Sequence, residues 1–228
     1  MDDLVPPRGP VLVLAPHADD ESLGCGALLS AIWSGGGHAH VACLTDGAAS
    51  HPGSRSHPSG RLRLVRQREM RRAVAILGGG ADDVTFLDFP DAAAHRVAGP
   101  GADPARSLAA LADRIGAAAL FAPSPLDPHC DHEAGALAAR RVAEARPSLR
   151  LFFYPVWSRW AVGGTAPCPP DTRPLRFGCA SRRKAEAIAA HESQAGRVIH
   201  DDPEGFRMPP GFAEMFASAP EPFFEARA

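Results

Sequence analysis

The chain has 228 residues and a formal net charge of −2, from 24 lysines and arginines against 26 aspartates and glutamates. Hydrophobic residues make up 45% and charged residues 22%, so the composition excludes a chain that is disordered as a whole. The small net charge argues against a nucleic-acid-binding protein held mainly by phosphate contacts. From the length we expect one domain over residues 1–228.

The sequence predicts a cytoplasmic protein without a membrane span. No apolar run reaches the ~18–20 residues that a membrane-spanning helix needs. The N-terminus is acidic and leads into Pro6 and Pro7, unlike a secretory signal. The five cysteines are irregularly spaced and form no CxxC pair, which is typical of reduced thiols rather than disulfides or a thiolate zinc site.

Strand-like and helix-like segments alternate from the N-terminus onward. Residues 11–15 form a continuous apolar run, typical of a strand that is buried on both faces. Further strands are predicted at 40–45, 84–87, 118–122 and 151–156, and helices at 21–33, 61–77, 104–116, 132–146 and 181–190. This alternation indicates βαβ units. We therefore predict an α/β fold, a three-layer sandwich with a mostly parallel, Rossmann-like sheet.

Three segments carry weaker signals. Residues 48–60 are rich in Ser, His, Pro and Gly and are predicted to form a mobile loop, and residues 163–174 to be irregular or an edge strand. Residues 203–228 are predicted to form an irregular C-terminal tail beyond a core of about 11–194. We expect its five phenylalanines to pack on the body of the protein or on a partner. The oligomeric state is left open, a homo-oligomer being one option.

The first polar cluster follows the strand at 11–15. His17 and Asp20 are three residues apart, so a tight turn or a first helical turn places both on one side. An imidazole and a carboxylate together suit zinc or a similar divalent metal, and Asp19 is then free to handle protons. In the alternative interpretation, Asp19, Asp20 and Glu21 complement a helix dipole and His17 is incidental.

The second polar cluster follows the predicted strand at 118–122, and α/β sheets bind ligands at the carboxyl ends of their strands. Asp131 lies between His129 and His132. One of these histidines can complete a two-His, one-Asp metal set that leaves a position for water, as in a catalytic zinc site. The other can stabilise charge on a substrate oxygen or act as an acid, and Asp131 can orient its imidazole.

The two clusters resemble the motifs of the PIG-L/LmbE-like family of zinc-dependent N-deacetylases, which usually are A-H-P-D-D-E and H-P-D-H. Here they stand as Ala15-Pro16-His17-Ala18-Asp19-Asp20-Glu21 and His129-Cys130-Asp131-His132. Other landmarks are similar and extend the resemblance over about residues 11–194: Leu44 to Gly47, Arg66 with Glu69, Leu77-Gly78, Pro90-Asp91, and Lys184 to Gln194.

Two positions depart from the family pattern, since Ala18 and Cys130 replace its usual prolines. Ala18 is expected to be harmless. Cys130 is either a small packing residue, an oxidation-sensitive thiol or a ligand for soft metals.

The resemblance implies a zinc-dependent N-deacetylase that acts on a small N-acetylated sugar conjugate. It implies that zinc, or another divalent metal, is bound by His17, Asp20 and His132. It further implies Asp19 as the general base, and His129, supported by Asp131, as the group that stabilises the oxyanion or protonates the leaving amine.

Arg66 and Asp91 are the candidate substrate-binding residues. Glu69 lies on the apolar stripe of the helix at 61–77 and needs a polar partner. Arg66 either supplies it from one turn away or reaches the substrate. Asp91 matches a substrate-side position of the family, or is an ordinary turn residue. Trp157 and Trp160 stack on a sugar ring or pack in the core.

The sequence therefore predicts hydrolysis of an N-acetyl amide on a 2-acetamido sugar by a metal-activated water, giving a free amine and acetate. Two alternatives remain. One is a metal-dependent amidohydrolase or deacylase acting on a non-sugar or glycopeptide amide, and the other is a non-catalytic module that binds metal or sugar. Asp19 argues against the module, because a binder has no need of a base.

Overall fold

A computed structural model describes residues 2–96, 103–178 and 181–227. Its strands are β1 (Asp2–Asp3), β2 (Val11–Ala15), β3 (Ala39–Thr45), β4 (Val84–Phe89), β5 (Ala119–Pro123), β6 (Arg150–Tyr154), β7 (Thr172–Phe177) and β8 (Glu221–Ala226). Its helices are α1 (Asp20–Ser34), α2 (Ser59–Leu77), α3 (Pro104–Ile115), α4 (Cys130–Glu144), α5 (Trp157–Ala161), α6 (Arg182–Ala189) and α7 (Phe212–Ser218). Single 3-10 turns lie at Ala81–Asp83 and Ala94–Arg96.

The strands form one eight-stranded sheet in the order β1-β7-β8-β6-β5-β2-β3-β4. Strands β6, β5, β2, β3 and β4 pair in parallel, as do β1 and β7, whereas β8 is antiparallel to both of its neighbours. Side chains alternate across β2, so Val11 and Val13 face the core under α1, α2, α6 and α7, while Leu12 and Leu14 face the core under α3 and α4. The predicted α/β sandwich with a mostly parallel sheet is confirmed.

The predicted strands and helices are all present, with shifted ends. Strand β4 runs on to Phe89, which pairs with Thr45 beyond an irregularity in the ladder. The segment predicted to be irregular or an edge strand at 163–174 leads into β7, which begins at Thr172. β7 is paired on both sides, with β1 and β8, and is therefore not an edge strand.

The prediction of an irregular tail at 203–228 is wrong, because this segment contains α7 and β8. Strand β8 fills an interior place in the sheet, between β6 and β7. Phe212, Phe216, Phe223 and Phe224 are buried, so these aromatic residues pack on the body of the protein. The sequence around β8 contains two prolines and shows little alternation of apolar and polar residues. The position of β8 in the sheet is decided by its pairing with the strands on either side.

A buried ion pair holds the start of β8. Glu221 Oε1 lies 2.7 Å from Lys184 Nζ of α6. The same carboxylate accepts the backbone N–H groups of Ala27 and Leu28 in α1, at 2.7 and 3.0 Å. The C-terminal segment is thereby tied to the helix that follows the first polar cluster.

The mobile loop predicted at 48–60 ends earlier than expected, because α2 begins at Ser59, and hydrogen bonds anchor the residues before that helix. Asp201 accepts from Ser54 Oγ at 2.7 Å and from the Ser56 N–H at 2.8 Å. Asp202 accepts the N–H of Gly53 at 2.8 Å. These bonds hold the loop against the segment that precedes α7.

None of the helices in the described ranges is both long and apolar enough to cross a membrane. Cys25, Cys43, Cys130 and Cys168 are free thiols. The fifth cysteine, Cys179, lies outside the described residues.

Candidate active site

The two polar clusters meet at the carboxyl edge of the sheet. His17 follows β2. His129 lies in the loop between β5 and α4, and His132 lies in the first turn of α4. Since β2 and β5 are parallel neighbours, their ends lie side by side. The ring centroid of His17 is 4.7 Å from that of His129 and 5.6 Å from that of His132. Residues more than a hundred positions apart are therefore brought together.

Three side chains converge as a set of metal-ligand atoms. Asp20 Oδ2 lies 3.3 Å from His17 Nδ1 and 3.4 Å from His132 Nε2. Ligand atoms bound to one tetrahedral zinc ion, each ~2.0–2.2 Å from it, lie about 3.3–3.5 Å apart. Within the described part of the chain, the buried His132 Nε2 has no hydrogen-bond partner. The donor types, their spacing and this unpartnered nitrogen fit a divalent metal.

Each histidine of this set has a carboxylate behind it. Asp131 Oδ2 lies 3.1 Å from His17 Nε2, and Asp127 Oδ2 lies 2.9 Å from His132 Nδ1. A carboxylate on one ring nitrogen fixes the tautomer and leaves the lone pair of the other nitrogen for a metal. The other nitrogen of each ring faces the Asp20 carboxylate.

Asp127 is a site residue that the sequence analysis missed. Its carboxylate is fully buried and also accepts the N–H groups of Val156 and Ser158, both at 2.9 Å. The available signal was its place in the loop before His132, since a ligating histidine needs an acceptor for its second ring nitrogen. Nothing local shows that Asp127, rather than Asp131, supplies that acceptor.

The predicted support of His129 by the Asp131 carboxylate is wrong. That carboxylate contacts His17 and accepts the N–H groups of Ala92 at 2.8 Å and Ala94 at 3.1 Å. Its first-turn position in α4 turns it towards the loop after β4. His129 instead accepts, through Nδ1, the backbone N–H of Asp131 at 3.2 Å.

The field of the surrounding carboxylates favours positive charge on both histidines. Burial lowers the pKa of His17, but hydrogen bonds to Asp131, Asp20 and Asp91 outweigh it and raise the pKa well above its usual value. Burial also lowers the pKa of His132, and Asp20 and Asp127 overcome this and raise the pKa to about 9. A site that attracts protons in this way attracts a metal cation by the same charges.

Asp19 lies beside the ligand set without belonging to it. Its backbone adopts φ 147°, a region that residues with a side chain rarely enter. Burial raises the pKa of the Asp19 carboxyl to about 7, although Arg66 opposes this shift. The closest approach to Arg66 is 3.7 Å, from Oδ2 to Nη2. Asp19 is thus a buried carboxyl group that can exchange a proton near neutral pH.

His129 faces the cavity as a neutral ring. Burial lowers its pKa to about 4, and the positive charges of His17 and His132 add to the effect. Because Nδ1 accepts a backbone N–H, the ring proton of the neutral form lies on Nε2. His129 is therefore a hydrogen-bond donor at neutral pH.

Arg66 and Asp91 lie at the site, and Glu69 does not pair with Arg66. Glu69 accepts from the N–H and Oγ of Ser193, at 2.8 and 2.6 Å. Arg66 donates to the carbonyl oxygens of Ala18 and Gly47, at 3.1 and 3.3 Å. The buried guanidinium thus braces the loop that carries Asp19.

Asp91 is buried against the same histidine as Asp131. Its Oδ1 lies 3.3 Å from His17 Nε2, and its Oδ2 accepts the N–H of Ala49. Burial alone raises the pKa of Asp91, but His17 and Arg66 hold it well below its usual range. Asp91 is therefore an anion at neutral pH.

A cavity of about 330 Å³ opens over these groups. One part is polar, with His17, Asp19 and Asp20 together with His129 and Asp91. The other part, here called the apolar wall, consists of Trp157, Phe206, Met208 and Phe212. Trp157 both packs on Phe212, with ring centroids 5.3 Å apart, and lines the cavity.

Comparison with known proteins gives one family and a group of similar structures. The model of the family PIG-L, GlcNAc-PI de-N-acetylase, matches residues 12–143. No curated protein matches the chain. The apolar wall lies outside the matched range, whereas the histidines and aspartates of the polar part lie inside it.

Three solved structures are similar over nearly the whole chain. The antimicrobial reagent A40926 pseudoaglycone deacetylase is 20% identical, with a TM-score of 0.72, and the match covers 96% of this chain and 97% of that one. A conserved protein from Thermus thermophilus is 26% identical, with a TM-score of 0.66 and coverage of 95% and 94%. The N,N'-diacetylchitobiose deacetylase from Pyrococcus horikoshii is 18% identical, with a TM-score of 0.63 and coverage of 95% and 83%.

Proposed function

The chain belongs to the PIG-L family, and from this premise we propose that it is a metal-dependent N-deacetylase acting on a small 2-acetamido sugar conjugate. The observation that carries the proposal is the convergence of His17 Nδ1, Asp20 Oδ2 and His132 Nε2 next to a buried carboxyl group, Asp19. Three protein ligands leave a position for water, and the neighbouring carboxyl group can take a proton from that water.

The proposed metal ligands are His17, Asp20 and His132. Two imidazoles and a carboxylate are the donor types of catalytic zinc sites, and other divalent metals accept them too. A metal bound there supplies Lewis acidity, polarising the amide carbonyl and lowering the pKa of a bound water to ~7. Asp131 and Asp127 hold the two rings in place for it.

Asp19 is the proposed general base. Its carboxylate takes a proton from the attacking water and later gives a proton to the leaving nitrogen, so that acetate and a free amine result. Arg66 fixes the loop through the carbonyl oxygen of Ala18.

His129 is the proposed donor to the oxyanion. A neutral ring with its proton on Nε2 donates a hydrogen bond to the oxygen on which negative charge develops. Its lowered pKa favours this role over that of a proton-donating acid. Of the two roles that the sequence leaves open for His129, we therefore favour stabilisation of the oxyanion.

The cavity supports a sugar-sized substrate. A volume of about 330 Å³ is at the small end of ligand pockets. The apolar wall offers aromatic rings to the apolar face of a sugar, and the polar part faces its amide. The same wall also favours the second candidate, a deacylase on a glycopeptide or non-sugar amide, because an acyl chain longer than acetyl would bury its carbons there.

The test is an acid-release assay on metal-loaded protein across N-acetylglucosamine conjugates and amides of longer acids. We expect acetate from the sugar conjugates, and a loss of ~10²–10⁴-fold in Asp19→Asn with its metal content retained. Asp82→Asn, at an exposed position, serves as the matched control. Preferential release of longer acids would establish the deacylase, and sugar binding without hydrolysis would establish the binding module. Wild-type turnover by Asp19→Asn would remove Asp19 as the base.

A further inference from the structure

A second group of metal-ligand side chains lies beside the catalytic centre. Ligand atoms of His95, Cys130 and Asp131 lie within 4.8 Å of one another. We propose that these three residues bind a soft divalent cation, such as Cd²⁺ or excess Zn²⁺, at a site distinct from that of His17, Asp20 and His132. We further propose that this cation inhibits hydrolysis, a consequence that rests on the proposed function.

The position of Cys130 suits such a site. Its Sγ lies 3.8 Å from Asp131 Oδ1 and 3.6 Å from the carbonyl oxygen of Ala92. A thiolate sulfur at ~2.3 Å and a carboxylate oxygen at ~2.1 Å from a tetrahedral metal lie about 3.6 Å apart. The sulfur and the carboxylate are thus already close to ligand spacing. The thiol proton passes to solvent when the cation binds.

His95 completes the set from an exposed turn. It lies in the 3-10 turn Ala94–Arg96 after β4, and its Nε2 accepts a hydrogen bond from Arg96 Nε. This contact is exposed, and a ligand atom of His95 already lies within 4.8 Å of those of Cys130 and Asp131. A His, Cys and Asp set favours soft or borderline metals over magnesium or calcium.

Asp131 couples the two sites because its two oxygens face in different directions. Oδ2 contacts His17 Nε2 at 3.1 Å, while Oδ1 lies near Cys130 Sγ and accepts the N–H of Ala94. A cation on Oδ1 withdraws negative charge from the carboxylate that holds His17 in place. It also adds a positive charge close to the catalytic ligand set. Both effects weaken the arrangement on which catalysis depends.

The sulfur gives this site a signature that the catalytic centre lacks. His17, Asp20 and His132 contain no thiolate, so a thiolate-to-cadmium absorbance band cannot come from the catalytic centre. The experiment loads the full chain with one equivalent of Zn²⁺ and then titrates it with Cd²⁺ in a thiol-free buffer. We expect a saturable band in the wild type, its loss in Cys130→Ser, and at least tenfold weaker Cd²⁺ binding in His95→Ala.

Cys168→Ser is the matched control, since Cys168 is an exposed thiol that belongs to no such group of ligand atoms within the described residues. Its band must equal that of the wild type. A band that persists in Cys130→Ser, or one lost in Cys168→Ser, would overturn the site.

Inhibition is measured separately. We expect excess Zn²⁺ to inhibit wild-type hydrolysis at concentrations at least tenfold lower than those required for Cys130→Ser, with equal basal turnover in both. Equal sensitivity would overturn the inhibitory role. If metal-loaded protein hydrolyses no amide, the proposed function fails, but the absorbance titration still decides whether the second site exists.

Discussion

Glu21 Oε2 accepts the backbone N–H of Asp19 at 3.0 Å, so one carboxylate holds the proposed base in its rare φ 147° conformation. The other oxygen of Glu21 contacts His191 Nε2 at 2.9 Å and accepts from Ser22 Oγ at 2.6 Å. Glu21 and His191 are both fully buried. A strained residue persists only where its surroundings over-determine it, and this network provides that constraint.

Replacing Glu21 therefore tests whether the Asp19 backbone matters for turnover. We expect Glu21→Ala to lower kcat by about 10–100-fold, with a smaller change in KM, and to cost about 1–3 kcal/mol of unfolding free energy for the unsatisfied groups. Steady-state kinetics and urea unfolding measure the two effects. Glu21→Gln, which keeps the shape, should recover part of kcat, and exposed Glu214→Gln should change neither quantity. Unchanged kcat in Glu21→Ala would disprove the positioning role.

The affinity for a metal should depend on Asp127 and Asp131, the two carboxylates that contact the histidine rings. We expect Asp127→Asn and Asp131→Asn each to weaken metal binding by about 10–100-fold. Asp127 fixes the tautomer of His132 and Asp131 fixes that of His17, and each variant loses this constraint. Competition with a chelator of known affinity measures this. Asp113→Asn, at an exposed position, is the control. If His17 and His132 bind no metal, the two variants will match the control.

Metal affinity should rise with pH. The pKa of His17 is raised, and that of His132 is raised to about 9, so both rings carry protons at neutral pH that a metal must displace. Lowering the pH below these values therefore weakens binding, and binding near neutral pH releases up to two protons. Calorimetry in two buffers of different ionisation enthalpy counts the protons. Metal binding with no proton release would contradict this account.

The apolar wall should affect substrate binding more than turnover. Phe206 is half-buried and lines the cavity. We expect Phe206→Ala to raise KM by about 10-fold, as about 1.4 kcal/mol of apolar contact with the substrate is lost, and to leave kcat within about twofold. Phe206→Leu should have a smaller effect on KM. A fall in kcat with unchanged KM would show that Phe206 positions the site instead.

Replacing only one residue of the buried Lys184–Glu221 ion pair should strongly lower the free energy of unfolding. Burial lowers the pKa of Lys184, and Glu221 opposes this shift. We expect Glu221→Gln to cost about 3–5 kcal/mol of unfolding free energy, because it leaves a buried ammonium group without its counter-ion. The double variant Lys184→Met/Glu221→Gln should cost less, and urea unfolding compares them. Equal losses in both would indicate that the bonds to α1, rather than the ion pair, account for the stability.

Local pattern predicted the strands and helices well, because β2 is apolar throughout and α2 ends at a glycine with a left-handed backbone, Gly78. It also placed His17 and His132 at one edge of the sheet. It did not decide between distant partners. Asp131 holds His17 rather than His129, and Glu69 contacts Ser193 rather than Arg66. Such choices depend on tertiary geometry, which leaves no trace in spacing.

The interior position of β8 bears on how the protein is made. Strands β7 and β1 join the rest of the sheet only through β8, which follows them both in the sequence. During synthesis from the N-terminus, β1 and β7 both leave the ribosome before β8. Until β8 follows, they cannot join the remaining strands of the sheet. The parallel strands from β2 to β6 can assemble earlier, so completion of the sheet is a late event in biogenesis.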